Sequence, residues 1–327
     1  MTTGWSTVPV ADVDTDVKQA ALRAVAYADV FEYPLRAVEV HRHLHGVSAT
    51  REATVEALER CSGENGPLSS RDGFFTLRGR EALIEKRRTR GELATRLWPA
   101  AVRYGRLIGR LPFVKMVAVT GSLPWDTLRG DGRADPYDAD IDYFIVAQPG
   151  RLWLSRLFVM VLGRVARLRG IQLCPNYLVS ERALDLADRS IYTEYEVTQM
   201  VPVAGMGTYW RFRDMNTWSA GFLPNALDPR PVPPVERTFI QRGWERVVAV
   251  VAALAEIVLR SPLGSALERL EIRYRMNKIR RSRGTDPVIW SETAYGADRF
   301  KDHTSGRQGS ILVAFGQRLS ELGLPPR

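Results

Sequence analysis

Residues 114–146 hold the side chains best suited to chemistry in this chain. An apolar run (Val114, Met116, Val117, Ala118 and Val119) stops at Gly121-Ser122. Beyond a Gly- and Asp-rich loop, Asp138, Asp140 and Asp142 alternate with Ala139, Ile141 and Tyr143. A strand sends successive side chains to opposite faces, so the three carboxylates share one face. Such a row repels itself, and packing offers no reason to keep it. A divalent cation does, because Mg²⁺ takes hard oxygen ligands and shares its shell with substrate phosphates; Mn²⁺ suits the same donors. The Gly-Ser corner is complementary: glycine lets the backbone approach an anion, and the N–H groups and hydroxyl that follow can hold phosphate oxygens. The plain structural alternative is a solvated sheet edge beside an ordinary strand end.

Two strands must position these groups, one ending at Thr120 and one over Asp138–Val146. Pro149-Gly150 then makes a turn. Leu152, Leu154, Leu157, Phe158, Val161 and Val165 predict a long amphipathic helix, and Ile171–Val179 a further strand. Arg156, Arg164 and Arg167 fall within an arc of about 80° on that helix, facing either a triphosphate or water.

Strand, Gly-Ser corner, loop and alternating acidic strand, in this order, resemble the polymerase-β-like nucleotidyltransferase superfamily. The matching residues are Gly121, Ser122, Asp140 and Asp142. The resemblance implies a small mixed sheet flanked by helices, with Asp140 and Asp142 binding Mg²⁺ (or Mn²⁺) and Gly121 and Ser122 holding a nucleoside triphosphate such as ATP. The implied reaction moves a nucleoside monophosphate to a small molecule, RNA or protein acceptor and releases pyrophosphate. Asp138 is a secondary candidate for ligand or base. In the superfamily a later strand commonly supplies a third carboxylate, and Ile171–Val179 has none; Asn176 lies within it and Glu181 just beyond. The loop between Ser122 and Asp140 is also long. A rival reading keeps the fold without catalysis, as a nucleotide-sensing or DNA-binding regulator.

Composition sets the frame. The chain has 327 residues, 45% hydrophobic and 25% charged, as expected of a globular, cytoplasmic protein of two or three domains. A net charge of +9 favours polyanionic partners: nucleotides, nucleic acid or an anionic membrane surface. Two cysteines, Cys61 and Cys174, make neither a disulfide framework nor a zinc site. The N-terminal residues lack the pattern of a signal peptide. The longest apolar stretch, Val247–Leu259, is too short to span a bilayer and is expected to be a buried helix.

Residues 1–85 read as three helices (16–32, 35–44 and 49–61) followed by a hairpin around Arg71-Asp72-Gly73, a winged-helix pattern. The third helix carries Glu52, Glu56 and Glu59 against Arg51 and Arg60, the wrong sign for duplex DNA. His41, His43 and His45 lack a carboxylate or cysteine at ligand spacing and are expected at the surface. Lys86-Arg87-Arg88 and Arg90 lie on a basic helix that either tracks a phosphate backbone or, the more common outcome, forms a solvated face. Residues 183–200 read as a short helix, a turn and a second helix. The aromatic stretch Tyr209, Trp210, Phe212, Trp218 and Phe222 packs a core or lines an acceptor pocket. Residues 224–234 form a proline-dense crossing segment, and the segment from Gly284 to Arg307 a polar loop. Arg273–Arg283 is a dense basic run, either solvated or facing nucleic acid, nucleotide or lipid. The expected architecture is mixed α/β or α+β: a winged helix over 1–85, a catalytic domain over 86–222 and a helical region over 223–327.

Overall fold

The computed structural model describes residues 13–128, 140–283, 294–301 and 307–325. The fold is mixed α+β with two small antiparallel or mixed sheets. The chain divides into two compact units. Met1–Glu85, Ala220–Leu227 and Val313–Arg327 make the first; Lys86–Ser219 and Asp228–Leu312 make the second.

Unit one contains helices α1 (Val13–Asp29), α2 (Ala37–Arg42) and α3 (Arg51–Cys61), with strands β1 (Leu35–Arg36), β2 (Leu68–Arg71) and β3 (Phe74–Leu77). The strands pair antiparallel in the order β1-β3-β2. Asp72 and Gly73 both take positive φ in the β2–β3 turn, as a two-residue hairpin of matching twist requires. Thr50 Oγ1 caps α3 by accepting from Ala53 N at 3.2 Å. Glu52, Glu56 and Glu59 are exposed.

The histidines correct the sequence reading. His43 and His45 are buried, and His45 packs beside Tyr27 and Phe315, their ring centroids 6.2 and 5.7 Å away. Phe315 comes from the second half of α10 (Arg307–Glu321), whose Leu319 is also buried. Arg318 of the same helix reaches Asp29 at 2.7 Å, and Arg80 takes the other oxygen at 2.6 Å. An apolar lid contributed by distant sequence cannot be inferred from the local spacing His-x-His-x-His.

Unit two is built on a six-stranded sheet. Its strands are β4 (Val114–Thr120), β5 (Ile141–Ala147), β6 (Leu173–Ser180), β7 (Val201–Ala204), β8 (Ala294–Tyr295) and β9 (Arg299–Lys301), in the order β7-β4-β5-β6-β9-β8. Only β5 and β6 are parallel, joined through α5 (Leu152–Arg167). Odd-numbered residues of the central strands (Val117, Val119, Tyr143 and Ile145) bury one face, against α5 and α4 (Leu83–Ile108). Even-numbered ones (Met116, Ala118, Phe144 and Val146) bury the other, against α6 (Ile191–Gln199) and α7 (Met206–Met215). This period of two is the strand signature the sequence shows.

Four elements go beyond or against the sequence reading. β7 is formed by Val201-Pro202-Val203-Ala204, where the proline lowers strand propensity but occupies a sheet edge that tolerates it. β8 and β9 lie within the segment read as a polar loop, and Trp153 Nε1 donates to Gly296 O between them at 2.8 Å. Helix α8 (Phe239–Leu259), expected to be buried, instead exposes most of its apolar side chains. Helix α9 (Pro262–Arg283) follows it. Among the described residues no single helix is long and apolar enough to cross a membrane.

Candidate active site

β4 ends at Gly121 because the backbone turns there with φ +70°, a conformation glycine adopts without strain. A second constraint is spatial. A Cβ at Gly121 would lie 2.1 Å from Oδ2 of Asp142, inside any permitted contact. The register explains the closeness, since Thr120 pairs with Asp142 across the antiparallel β4–β5 ladder. Corner and carboxylate, distant in sequence, are therefore in contact.

The corner continues as consecutive turns over residues 121–126, where the resemblance implies a helix. Ser122 is half-buried, and its carbonyl accepts from Thr127 N at 3.0 Å. The loop is fastened from several sides. Arg87 Nη1 pairs with Asp126 Oδ2 at 2.8 Å, Trp125 packs on Tyr195 at 5.4 Å, and an Arg230 guanidinium donates to the Pro124 carbonyl. Leu123 and Leu128 are buried in the sheet core. Arg87 thus serves the loop, and Arg90 is buried, so this part of the basic run is not the solvated face expected of it.

Asp140 immediately precedes β5, two residues before Asp142. It keeps an open outer surface, yet loss of solvent around the carboxyl raises its pKa above the ordinary carboxylate value. A Gln172 hydrogen bond and the Arg167 charge partly counter that rise. Arg167 of α5 is thus an arginine whose charge is felt at Asp140. Arg156 lies instead over the Phe300 ring at 4.3 Å, and Arg164 is exposed. Asp138, the secondary candidate, lies outside the described residues.

β6 supplies the neighbours that the sequence did not assign. Asp142 pairs in register with Cys174, and the ladder shifts before Phe144 meets Tyr177, which brings Asn176 toward the acidic strand. Asn176 Nδ2 donates to Asp142 Oδ1 at 2.5 Å, and Cys174 Sγ donates to Asn176 Oδ1 at 2.8 Å. The thiol donor fixes which end of the amide faces Asp142, because an amide oxygen there would oppose a carboxylate. An amide in this strand supports Asp142 and, being neutral, cannot act as a base.

The donor set fits a hard divalent cation in chemistry: two carboxylates two residues apart at the start of one strand, one of them destabilised in its charged form, next to a glycine corner. Among the described residues no group of three His, Cys, Asp or Glu side chains has a metal-holding arrangement, so the described part of the set is a pair.

Glu194 on α6 is a second unusual carboxyl. It is fully buried, and burial raises its pKa to about 8, with Arg213 and Ser219 pulling the other way. Neither oxygen makes a hydrogen bond of normal geometry. In the sequence it is one of two glutamates in a short helix, and nothing in the spacing separates it from Glu196. The aromatic stretch divides: Tyr209 and Phe212 are core, while Trp210 and Phe222 are exposed. No protein-family model, curated protein or solved structure matches this chain.

Proposed function

We propose that unit two is a metal-dependent nucleotidyltransferase domain that moves a nucleoside monophosphate from a nucleoside triphosphate to an acceptor. The observation that carries this reading is the contact between the Gly121 corner and Asp142, with Asp140 two residues away at the start of the same strand. It joins a phosphate-approach site to a carboxylate pair, and neither half alone would identify the chemistry.

Asp140 and Asp142 would hold Mg²⁺, which supplies neutralisation of the charge on the transferring phosphoryl group. The chain's own residues do the rest. Gly121 lacks the side chain that would displace the Asp142 carboxylate, and the Ser122 hydroxyl and backbone hold triphosphate oxygens. Asn176 fixes the rotamer of Asp142, and the Arg87, Trp125 and Arg230 fastenings keep the corner in place. The acceptor oxygen bonds to the α-phosphorus, the bond from that phosphorus to the bridging oxygen breaks, and pyrophosphate leaves. Asp138 is the candidate to take the acceptor proton. Small molecules, RNA and proteins are the acceptor classes offered in the test.

A second reading rests on Asn176, whose amide stands in the strand where the resemblance implies a carboxylate: a nucleotide-sensing regulator on the same fold. Unit one supports a winged-helix assignment by its order of helices and strands. The exposed glutamates of α3 favour a protein-contact role over duplex DNA.

The test is incubation with α-labelled nucleoside triphosphates and Mg²⁺ or Mn²⁺, offering RNA, lysate protein and small metabolites. Transfer by the wild type and none by Asp140→Ala/Asp142→Ala supports the enzyme. Nucleotide binding without transfer supports the regulator, and neither binding nor transfer defeats both readings.

A further inference from the structure

Helix α8 is amphipathic in an inverted sense. Its carboxylates turn inward: Glu245 is buried and pairs with Arg237 at 3.6 Å, and Glu256 accepts from Phe113 N at 2.8 Å. Its apolar side chains turn outward. Trp244 is 64% and Ile257 70% exposed, and Val247, Val250, Leu254 and Val258 are all more than half exposed. At 3.6 residues per turn these six occupy an arc of about 140° that contains no charged residue. Isolated exposed apolar residues are ordinary, but a contiguous strip along about four turns is the mark of an interaction site.

α9 continues the pattern. Leu263, Leu267, Leu270 and Tyr274 form an exposed stripe, while Glu268 is buried and accepts from the backbone N–H groups of Trp153 and Leu154 at 2.9 Å each. Those bonds hold α9 to the start of α5. The exposed charges on both helices are all basic: Arg242 and Arg246 on α8, and Arg269, Arg273, Lys278, Arg280 and Arg281 on α9. Every acidic residue of the pair, Glu245, Glu256, Glu268 and Glu271, is buried or half-buried.

We propose that the exposed face of α8 and α9 lies on an anionic lipid surface, with its apolar strip in the headgroup–acyl boundary and its arginines among the lipid phosphates. Charge complementarity selects this occupant. A second copy meeting the face about a two-fold axis would bring arginines against arginines, whereas an anionic bilayer supplies the opposite sign. Nucleic acid supplies that sign too, but its bases call for aromatic faces, and the strip is mainly Val, Leu and Ile. Basic residues beside Trp and aliphatic residues are the composition of interfacial helices. The geometry favours lying over crossing: the two helices meet at a bend of 96°, and Glu256 and Glu268 tie them to the backbone of unit two at Phe113, Trp153 and Leu154. Lipid binding by this face does not depend on the chemistry of the active site.

The full chain would be sedimented with vesicles of phosphatidylcholine alone or mixed equally with phosphatidylglycerol. Binding is expected to the mixed vesicles only, weakened by salt, with a blue shift of tryptophan fluorescence that Trp244→Phe removes. Leu254→Asp/Val258→Asp should abolish sedimentation while leaving the thermal melt unchanged. Arg280→Gln/Arg281→Gln should weaken it roughly 25-fold, at about fivefold per basic side chain. Equal sedimentation with both vesicle types, or none with either, overturns the proposal. So does a dimer in sedimentation velocity that Leu254→Asp/Val258→Asp converts to monomer in the absence of vesicle binding.

Discussion

Asn176 and Asp142, on adjacent parallel strands, share a hydrogen bond of 2.5 Å from amide to carboxylate, while the opposite oxygen of Asp142 lies against Gly121. The carboxylate is thus held from both sides, by a donor and by the absence of a side chain. Asn176→Asp would replace the donor with a second carboxylate and create like-charge repulsion. We expect a lower Tm than wild type without metal and a larger rise on adding Mg²⁺, measured by thermal melts with and without the cation. Asn176→Ala, which removes the donor to Asp142 Oδ1 and the acceptor of the Cys174 thiol without adding a charge, should cost about 1–3 kcal/mol and show no added Mg²⁺ response.

Gly121→Ala meets two obstacles, the positive φ and a methyl group inside the Asp142 carboxylate. Gly150 separates them. It has φ +71°, yet a Cβ there would meet nothing within 4 Å. Gly150→Ala should cost about 1–2 kcal/mol from backbone strain, and Gly121→Ala appreciably more. Chemical denaturation of the two variants measures the difference, which reports the Asp142 contact. Nucleotide binding should be lost in Gly121→Ala alone.

Burial holds the Glu194 carboxyl in its neutral form up to a pKa of about 8, well above its ordinary value of 4.5. The folded state therefore binds more protons than the unfolded state between those values. Its favourable contribution is full below pH 4.5 and is lost as pH rises through 8. Glu194→Gln keeps the shape without the titration. It should flatten the decline in stability across that window and stabilise the protein at about pH 8 by on the order of a few kcal/mol, since each pKa unit is worth about 1.4 kcal/mol. Melts of both proteins from about pH 5 to 9 check this, and an unchanged wild-type slope in the variant would contradict it.

In unit one, the buried Asp29 receives Arg80 and Arg318 on separate oxygens. Both arginines keep some access to water, which moderates the loss when the carboxylate is removed. Asp29→Ala should still destabilise by about 2–4 kcal/mol, because it removes the anion shared by two guanidinium groups and leaves Arg318 only the exposed Glu321. Urea unfolding measures it, and a change under about 0.5 kcal/mol would show the pair to be dispensable.

Local periodicity made the central strands legible. Val114–Val119 and Ile141–Val146 form β4 and β5 as alternation predicts. What escaped was set by distant partners. His43 and His45 became core because α10 covers them, and β8–β9 became strands because β6 offers an edge. The candidate pair Asp140 and Asp142 and the Gly121 corner were readable from spacing. Asn176 as a hydrogen-bond partner was not, since it depends on a register shift between β5 and β6. α8 misled for a physical reason: strong amphipathicity tells which side is apolar, not which side faces the protein.

Residues 313–324 belong with the N-terminal unit, and this bears on how the chain is made. Helices α1 to α3 and the β1–β3 sheet emerge from the ribosome first, but the Tyr27 and His45 rings stay uncovered and Asp29 only half-paired until Phe315, Arg318 and Leu319 have been synthesised. The first unit to appear is thus the last to be completed, and unit two has the whole interval in which to fold.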